Sequence, residues 1–499
     1  MKLSDLVQDL KIERIIGDVD KEVLAITQNS KTADKGSLFV CIKGFVNDGH
    51  KYIPEAIKKG AVAILVQEDT VVENNKITII KVNDTRKAVA LIANRYYDFP
   101  SQKVKLVGIT GTNGKTTVAY MLKVILEEAQ KKVGLLTTVE NIIDNQSIDS
   151  KMTTMEAIDL QKAFSQMYSC GTDYIIMEVS SHSLSLSRVL GCDFNIAIFT
   201  NISDEHFEIH KNFKNYLESK IRLFQYLAES NQAINNKKGI VNIDEIHSNC
   251  FLDCLNSGKI TYGIDNQCMF HARDIRMDLK ETVFTAETPV GDREIKLNMS
   301  GKYNIYNALA AIAAAVNEGI SLDIIACAFQ KFRGAPGRYK MLDYGQPYTI
   351  IIDFAHNYHG LEHILKTLNS FSGNRIITIF GHGGERDKRV RKKMGQVVGT
   401  YSDYSIITTD NPRSEDPEDI SREIEKGLKE VSNCNYKIII DRVKAIKNAI
   451  DIAEKDDIVL IAGKGPEKQQ VYHNQTIYHN DEEIVHKIII EKGFNKCSD

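Results

Sequence analysis

The sequence predicts an α/β protein of three domains, and three observations carry that reading. At 499 residues the chain exceeds what one ordinary core accommodates. Short apolar runs alternate with stretches of helical spacing along most of its length. Finally, the conspicuous glycine-rich and polar segments fall just after the carboxyl ends of those apolar runs. That edge is where open α/β sheets bind ligands.

The first segment, residues 1–100, reads as a small mixed α/β domain. Apolar runs at Ser37–Ile42, Ala61–Val66 and Ile77–Val82 are separated by polar or glycine-containing connections. It ends near Asp98-Phe99-Pro100-Ser101. The second segment, 101–335, opens with the run Val104–Ile109, a glycine-rich turn, and then Thr116–Lys131. In that stretch Val118, Met121, Leu122 and Ile125 recur at helical spacing, so strand, loop and helix follow one another. Further strands are expected at Tyr174–Met177 and Phe194–Phe199, and an alanine-rich helix at Asn304–Val316. The third segment, 336–499, alternates again. Tyr348–Ile352, Ile376–Phe380, Tyr404–Thr408, Ile438–Ile440 and Ile458–Ile461 read as buried strands of a mostly parallel sheet covered by helices.

Composition narrows the class. Hydrophobic residues at 43% and charged residues at 26% are those of a soluble globular protein. A formal charge of -3 argues against nucleic acid as a partner. The start has no signal-peptide core, and no stretch reaches the roughly 18 apolar residues of a membrane span, so no membrane insertion is expected. Nine scattered cysteines without a CxxC pair suggest reduced thiols and a cytoplasmic location.

The segment Gly111-Thr112-Asn113-Gly114-Lys115-Thr116-Thr117 carries the strongest chemical signal. Glycines let backbone N–H groups approach phosphates, the following helix N-terminus favours their charge, and a lysine neutralises the terminal phosphates. The strict GxxxxGK[ST] spacing is not met, because Ile109 stands at the first glycine position. Glu178-Val179-Ser180-Ser181-His182 follows a second strand, where a carboxylate suits magnesium. Asn201-Ile202-Ser203-Asp204-Glu205-His206 follows a third. Taken alone, the second is as readily a solvated loop, and a lone histidine such as His206 is more often structural.

Together these motifs resemble the Mur ligase family. GTNGKTT, EVSSH, NISDEH with a lysine further on, GKYNIYNALAA, APGR, DFAH, DNPR and GKGPE occur in that family's order and span nearly the whole chain. The N-terminal NSKTADKGSLFVCIKG is similar to its tripeptide-forming branch, although Asn29 and Lys31 flank Ser30 where Asp and Arg are usual. The resemblance implies a UDP-sugar-binding first domain, a central P-loop ATPase-like domain and a C-terminal Rossmann-like domain that binds an amino acid.

The resemblance also implies site residues. Gly111, Thr112, Asn113, Gly114, Lys115, Thr116, Thr117, Asn307, Arg338, Asp353 and His356 would surround ATP. Thr116, Glu178, His206 and Lys220 would hold magnesium, two ions being expected, with Lys220 carbamylated and with Lys115, Lys220 and His206 as the catalytic set. An unmodified lysine in the YLESK setting of Lys220 is otherwise usually a surface residue. Ser30, Thr153, Thr154, Ser180 and Arg188 would bind the UDP-N-acetylmuramoyl dipeptide. Arg386, Asp410, Asn411, Pro412, Arg413, Gly463 and Glu467 would bind the incoming diamino acid, with Arg413 pairing bidentately with a distal carboxylate. No prosthetic group is implied, and a monomer is the working expectation.

The implied reaction transfers the ATP γ-phosphoryl group to a carboxylate, and the amine then displaces phosphate. Meso-diaminopimelate is the acceptor the DNPR segment favours. Lysine or another diamino acid, or a specialised paralogue, stays open at this level. DNPR and the Ser30 region argue against a folate-type relative, and Lys115, Glu178, His206 and Lys220 against a catalytically silent nucleotide-binding protein.

Overall fold

A computed structural model describes residues 1–494 apart from 45–46, 73–75, 205–206, 230–236, 372 and 432–434. Among the described residues, three large sheets, drawing on residues 12–82, 105–297 and 340–462, organise the chain, beside a two-stranded hairpin of Gln469–Val471 and Thr476–Tyr478. The first has five strands, in the spatial order Ile12–Ile16, Thr78–Val82, Ala63–Val66, Ser37–Val40, Ala25–Thr27; Ile12–Ile16 is antiparallel to its neighbour and the rest are parallel. Ser37–Val40 and Ala63–Val66 are buried along their whole length. Their uninterrupted apolar runs follow from cover on both faces.

The central sheet has eleven strands. Its parallel core runs Val133–Leu136, Tyr174–Glu178, Lys105–Thr110, Ile196–Phe199, Lys238–Asn242, Lys259–Gly263. The helix Lys115–Glu128 ends three residues short of the sequence expectation. It packs against the helix Lys302–Asn317, whose Ala308 to Ala315 stretch has no exposed side chain. Alanines let the two axes approach closely, and a helix apolar on all sides is one enclosed by neighbours.

Strands at both edges of this sheet were missed by sequence reasoning. Phe270–Met277, Thr282–Thr288 and Gly291–Leu297 form an antiparallel meander at one edge, and Glu140–Ile143 with Gln146–Asp149 a hairpin at the other. Of these edge strands, Gln146–Asp149, Phe270–Met277 and Gly291–Leu297 are exposed along much of their length, so charges interrupt the apolar run. Thr282–Thr288 shows the underlying period of two in its burial.

The third sheet orders Lys340–Leu342, Thr349–Asp353, Ile458–Ala462, Ile376–Phe380, Tyr404–Ile407, Tyr436–Ile438, all parallel except the first. The strand expected at Ile438–Ile440 is thus two residues earlier. Arg442 and Asp481 form a fully buried ion pair at 2.6 and 2.8 Å, and Arg442 also donates to the Ala462 carbonyl at 2.9 Å. That bond pins the end of the strand Ile458–Ala462, and so the start of the loop carrying Gly463 to Glu467. Among the described residues, no helix is long and apolar enough to cross a membrane.

Candidate active site

The loop 111–114 leaves the strand Lys105–Thr110 and enters the helix Lys115–Glu128. Gly114, at φ +87°, is the turn that makes this entry possible, and a Cβ there would lie 2.4 Å from Asn307 Oδ1. Glycine is therefore required both for the backbone angle and for the close approach of Asn307. Asn201 braces the loop from the next strand end, its Oδ1 accepting from Asn113 N at 2.8 Å. The ammonium of Lys115 donates to the Gly111 and Thr112 carbonyls, each at 2.9 Å.

Lys220 is buried, not at the surface. Its ammonium donates to the same Gly111 carbonyl at 2.8 Å and stands 4.5 Å from the centre of the Tyr216 ring. Thr116 and Glu178 meet directly, the hydroxyl donating to Oε1 at 2.8 Å, and Thr138 donates to both Glu178 carboxylate oxygens at 3.1 Å. A threonine hydroxyl beside a buried carboxylate is a hard-oxygen pair of the kind magnesium takes, so these residues fit that ion. His206, expected to join them, lies outside the described residues.

Arg338 reaches the same point from the start of the third sheet, donating to Thr116 Oγ1 at 3.4 Å and stacking on Phe354 at 4.3 Å. Asp353 accepts from Tyr339 N at 2.7 Å and Ala355 N at 2.8 Å. Burial pushes the Asp353 carboxyl up and the Arg338 guanidinium down, and each charge partly offsets the other's shift. Thr154 ties the Glu178 segment to the preceding loop, donating to Glu178 O at 2.9 Å; Arg188 donates to Thr154 O at 3.1 Å and pairs with Glu156.

All eleven residues expected around ATP, with Glu178, Lys220, Thr153, Thr154, Ser180 and Arg188, line one cavity of about 940 Å³. Ser30 is not among its lining residues; its hydroxyl donates to Glu55 at 2.6 Å in the N-terminal sheet region.

A second cavity, of about 220 Å³, opens beside the third sheet. Arg386, Asp410, Asn411, Arg413, Gly463 and Glu467 line it, whereas Pro412 does not and instead sets its carbonyl against Gly384. Gly463, at φ +108°, leaves room for Asp410 Oδ2, which a Cβ would meet at 2.9 Å. Glu467 accepts from Asn411 Nδ2 and Lys464 Nζ, both at 2.8 Å. Arg413 holds a left-handed backbone at φ +52° and donates through Nη1 to the Gly384 carbonyl. Arg386 and Glu467 line both cavities, so the larger cavity and the smaller pocket share a wall.

Four residues escaped sequence reasoning. Tyr216, which meets Thr112 at 2.9 Å, stands four residues before Lys220 on one helix face, a spacing that exposes it to a search. Lys464 is visible inside GKGPE but was given no role. Thr138 follows the strand Val133–Leu136, itself unrecognised. His382 lies in the glycine-rich turn after Ile376–Phe380. It is buried, and burial, with Arg391 nearby, pushes it down to about 4. Arg391 in turn has no exposed side-chain surface and donates to Glu415 at 2.9 and 3.0 Å and to Glu423 at 2.8 Å. That contact holds the Glu415 carboxyl down at about 2.

Family models match three stretches of the chain: Mur ligase family, catalytic domain over residues 22–97; Mur ligase middle domain over 109–315; and Mur ligase, glutamate ligase domain over 337–465. The UDP-N-acetylmuramoyl-L-alanyl-D-glutamate--2,6-diaminopimelate ligase 1 of Clostridium acetobutylicum is 41% identical over 493 residues, covering 98% of this chain and 100% of that protein. The corresponding ligase of Clostridioides difficile is 40% identical over 494 residues, covering 98% and 99%. A solved structure of a UDP-N-acetylmuramoyl-L-alanyl-D-glutamate--2,6-diaminopimelate ligase superposes with a TM-score of 0.68 at 26% identity, covering 99% of each chain. The MurF ligase of Thermotoga maritima, solved in complex with ADP, shares the fold at 17% identity, with a TM-score of 0.62 and 94% and 97% covered.

Proposed function

Since the chain belongs to the Mur ligase family, we propose that it joins meso-2,6-diaminopimelate to UDP-N-acetylmuramoyl-L-alanyl-D-glutamate, cleaving ATP to ADP and phosphate. It is an ATP-dependent acid–amino-acid ligase of peptidoglycan precursor synthesis. The observation that carries this reading is the wall that the two cavities share at Arg386 and Glu467. An amine held in the smaller pocket faces a carboxylate activated at the larger one.

The reaction proceeds in two displacements. A carboxylate oxygen of the D-glutamyl side chain attacks the γ-phosphorus, the bond to the β-phosphate oxygen breaks, and ADP leaves. The free amine then attacks the acyl carbon, phosphate departs, and the amine loses a proton as the amide forms. Lys115 spreads the charge that builds on the transferred group, and backbone N–H groups of the loop 111–114 cradle the phosphates. Thr116, Glu178 and, once carbamylated, Lys220 would hold magnesium, two ions in our reading. Bound there, magnesium would neutralise phosphate charge. Arg188, Thr153, Thr154 and Ser180 orient the nucleotide-linked peptide, while Arg413 and Glu467 take the distal carboxylate and ammonium of the diamino acid. Enclosure between the second and third sheets keeps water from the acyl-phosphate.

The test is phosphate release by the full chain with ATP, magnesium and the nucleotide dipeptide, offering meso-diaminopimelate, lysine, ornithine or no amine. Tripeptide by mass spectrometry with diaminopimelate alone is expected. A preference for lysine would keep the ligase and sink the reading of Arg413.

A further inference from the structure

The smaller cavity contains a histidine whose protonation is dictated by its neighbour. Arg391 Nε donates to His382 Nδ1 at 3.3 Å inside the protein. A guanidinium offers donors only, so Nδ1 must present its lone pair. The ring proton therefore sits on Nε2. Arg391 cannot swing away, because two bonds to Glu415, one to Glu423 and a longer one to the Gly383 carbonyl at 3.4 Å hold it.

His382 also lines the cavity, between the strand Ile376–Phe380 and the turn that carries Arg386. The next residue, Gly383, lies between two of the pocket's arginines: a Cβ there would come 3.5 Å from Arg386 Cγ and 3.7 Å from Arg413 Nη1. An N–H donor cannot serve the ammonium of a diamino acid. Its partner is an oxygen, and the oxygens that such a substrate brings are those of its carboxylates.

We propose that His382 is a further acceptor-binding residue, donating from Nε2 to a carboxylate of the diamino acid, with Arg391 as the positioning residue that sets the tautomer. The inference rests on the ligase reading above. A neutral donor adds direction without adding charge to a pocket that already holds Arg386, Arg413, Asp410 and Glu467. It distinguishes a correctly seated carboxylate from one that merely lies near the arginines.

Two substitutions separate binding from structure. His382→Asn keeps an acceptor near Nδ1 for Arg391 and removes the cavity donor, whereas His382→Gln places an amide donor near Nε2. In steady-state assays of the full chain, His382→Asn is expected to raise KM for diaminopimelate about tenfold, as loss of a hydrogen bond to a charged group does. Its kcat and the KM values for ATP and the nucleotide dipeptide stay near wild type, and His382→Gln recovers part of the loss. In the wild-type chain labelled with 15N-histidine, diaminopimelate should shift the His382 Nε2–H signal while Nδ1 stays unprotonated. An unmoved KM in a folded His382→Asn, or an unmoved wild-type spectrum at saturating substrate, overturns the role of His382. Equal loss of kcat in both variants would reduce it to a structural residue. A wild-type chain that makes no tripeptide with diaminopimelate overturns the acceptor reading itself.

Discussion

The two ends of the cavity are built by different means. At the nucleotide end, one strand, one short loop and one helix N-terminus place the main chain and Lys115, and Gly114 supplies the backbone angle that no other residue tolerates so readily. At the acceptor end, side chains from several separate segments converge, among them Phe354 to Tyr358, the turn after Ile376–Phe380, Arg391, the Asp410 to Arg413 stretch, and Gly463 to Glu467. Arg391, fully buried, ties its segment to Glu415 and Glu423, and buried Lys464 reaches across to Asn411 Oδ1 at 3.2 Å. A site made of local backbone is carried by a contiguous motif. A site made of long-range ion pairs depends on the whole domain being folded first.

That contrast is sharpest in what a single lysine does. Lys115→Ala leaves the loop's backbone donors in place and removes the charge facing the phosphates. We expect kcat to fall about a thousandfold, near 4 kcal/mol in the barrier, with little change in Tm. Single-turnover formation of acyl-phosphate measures it directly. A loss under tenfold would mean that the backbone and metal carry the charge without this side chain.

At the other end the largest effect should fall on stability. Arg391→Met strands Glu423 and leaves Glu415 with only the exposed Lys388 as ion-pair partner, in a mostly buried setting, which costs about 3 kcal/mol. Urea unfolding reads the loss, and KM for diaminopimelate should rise with it because His382 loses its partner. If Arg391→Met is as stable as wild type, the ion pairs do not hold the pocket and the comparison fails.

The same difference explains what could be read from the sequence. The glycine-rich loop and the strands around it were legible because fully buried parallel strands are uninterrupted apolar runs and the loop is contiguous. The segment of Glu178, taken alone, reads as readily as a solvated loop. Arg413, Asp410 and Glu467 were reachable only through the family resemblance, since nothing in their spacing brings residues 410 and 467 together. Arg391 read as one basic residue in a run of them. Its burial depends on Glu415 and Glu423, 24 and 32 residues further on. The edge meander from Phe270 to Leu297 was missed for a related reason: exposed charges on successive residues, such as Asp292 to Glu294, break the apolar pattern.

Arg413 tests specificity without disturbing the frame. Its left-handed backbone and its bond to the Gly384 carbonyl fix where the guanidinium points. Arg413→Lys keeps the charge and loses the planar fork, so KM for diaminopimelate should rise by about 2 kcal/mol, or roughly thirtyfold. The KM values for ATP and the nucleotide dipeptide should change little. A parallel rise in all three KM values would show that Arg413 supports the pocket's shape instead of reading the distal carboxylate.

The smallest effect separates the two ends by pH. His382 titrates at about 4 in the folded protein against an ordinary 6.5, because burial and then the Arg391 charge disfavour its cation. Below pH 6.5 the unfolded chain takes up this proton and the folded chain does not, so stability is lost as pH falls toward 4. Glu245, lining the nucleotide end, moves the other way: burial raises it from 4.5 to about 7. Its folded form keeps a proton that the unfolded chain releases, so it adds stability as pH falls from 7 toward 4.5. Between pH 7.5 and 5.5 each contributes about 1 to 2 kcal/mol, with opposite signs, and the wild-type change is small. His382→Asn removes the acid penalty, so this variant should become more stable at pH 5.5 than at 7.5 in urea unfolding. Glu245→Gln removes the acid gain and should become less stable. If both variants track the wild-type curve, neither group is buried in the way that sets the two ends apart.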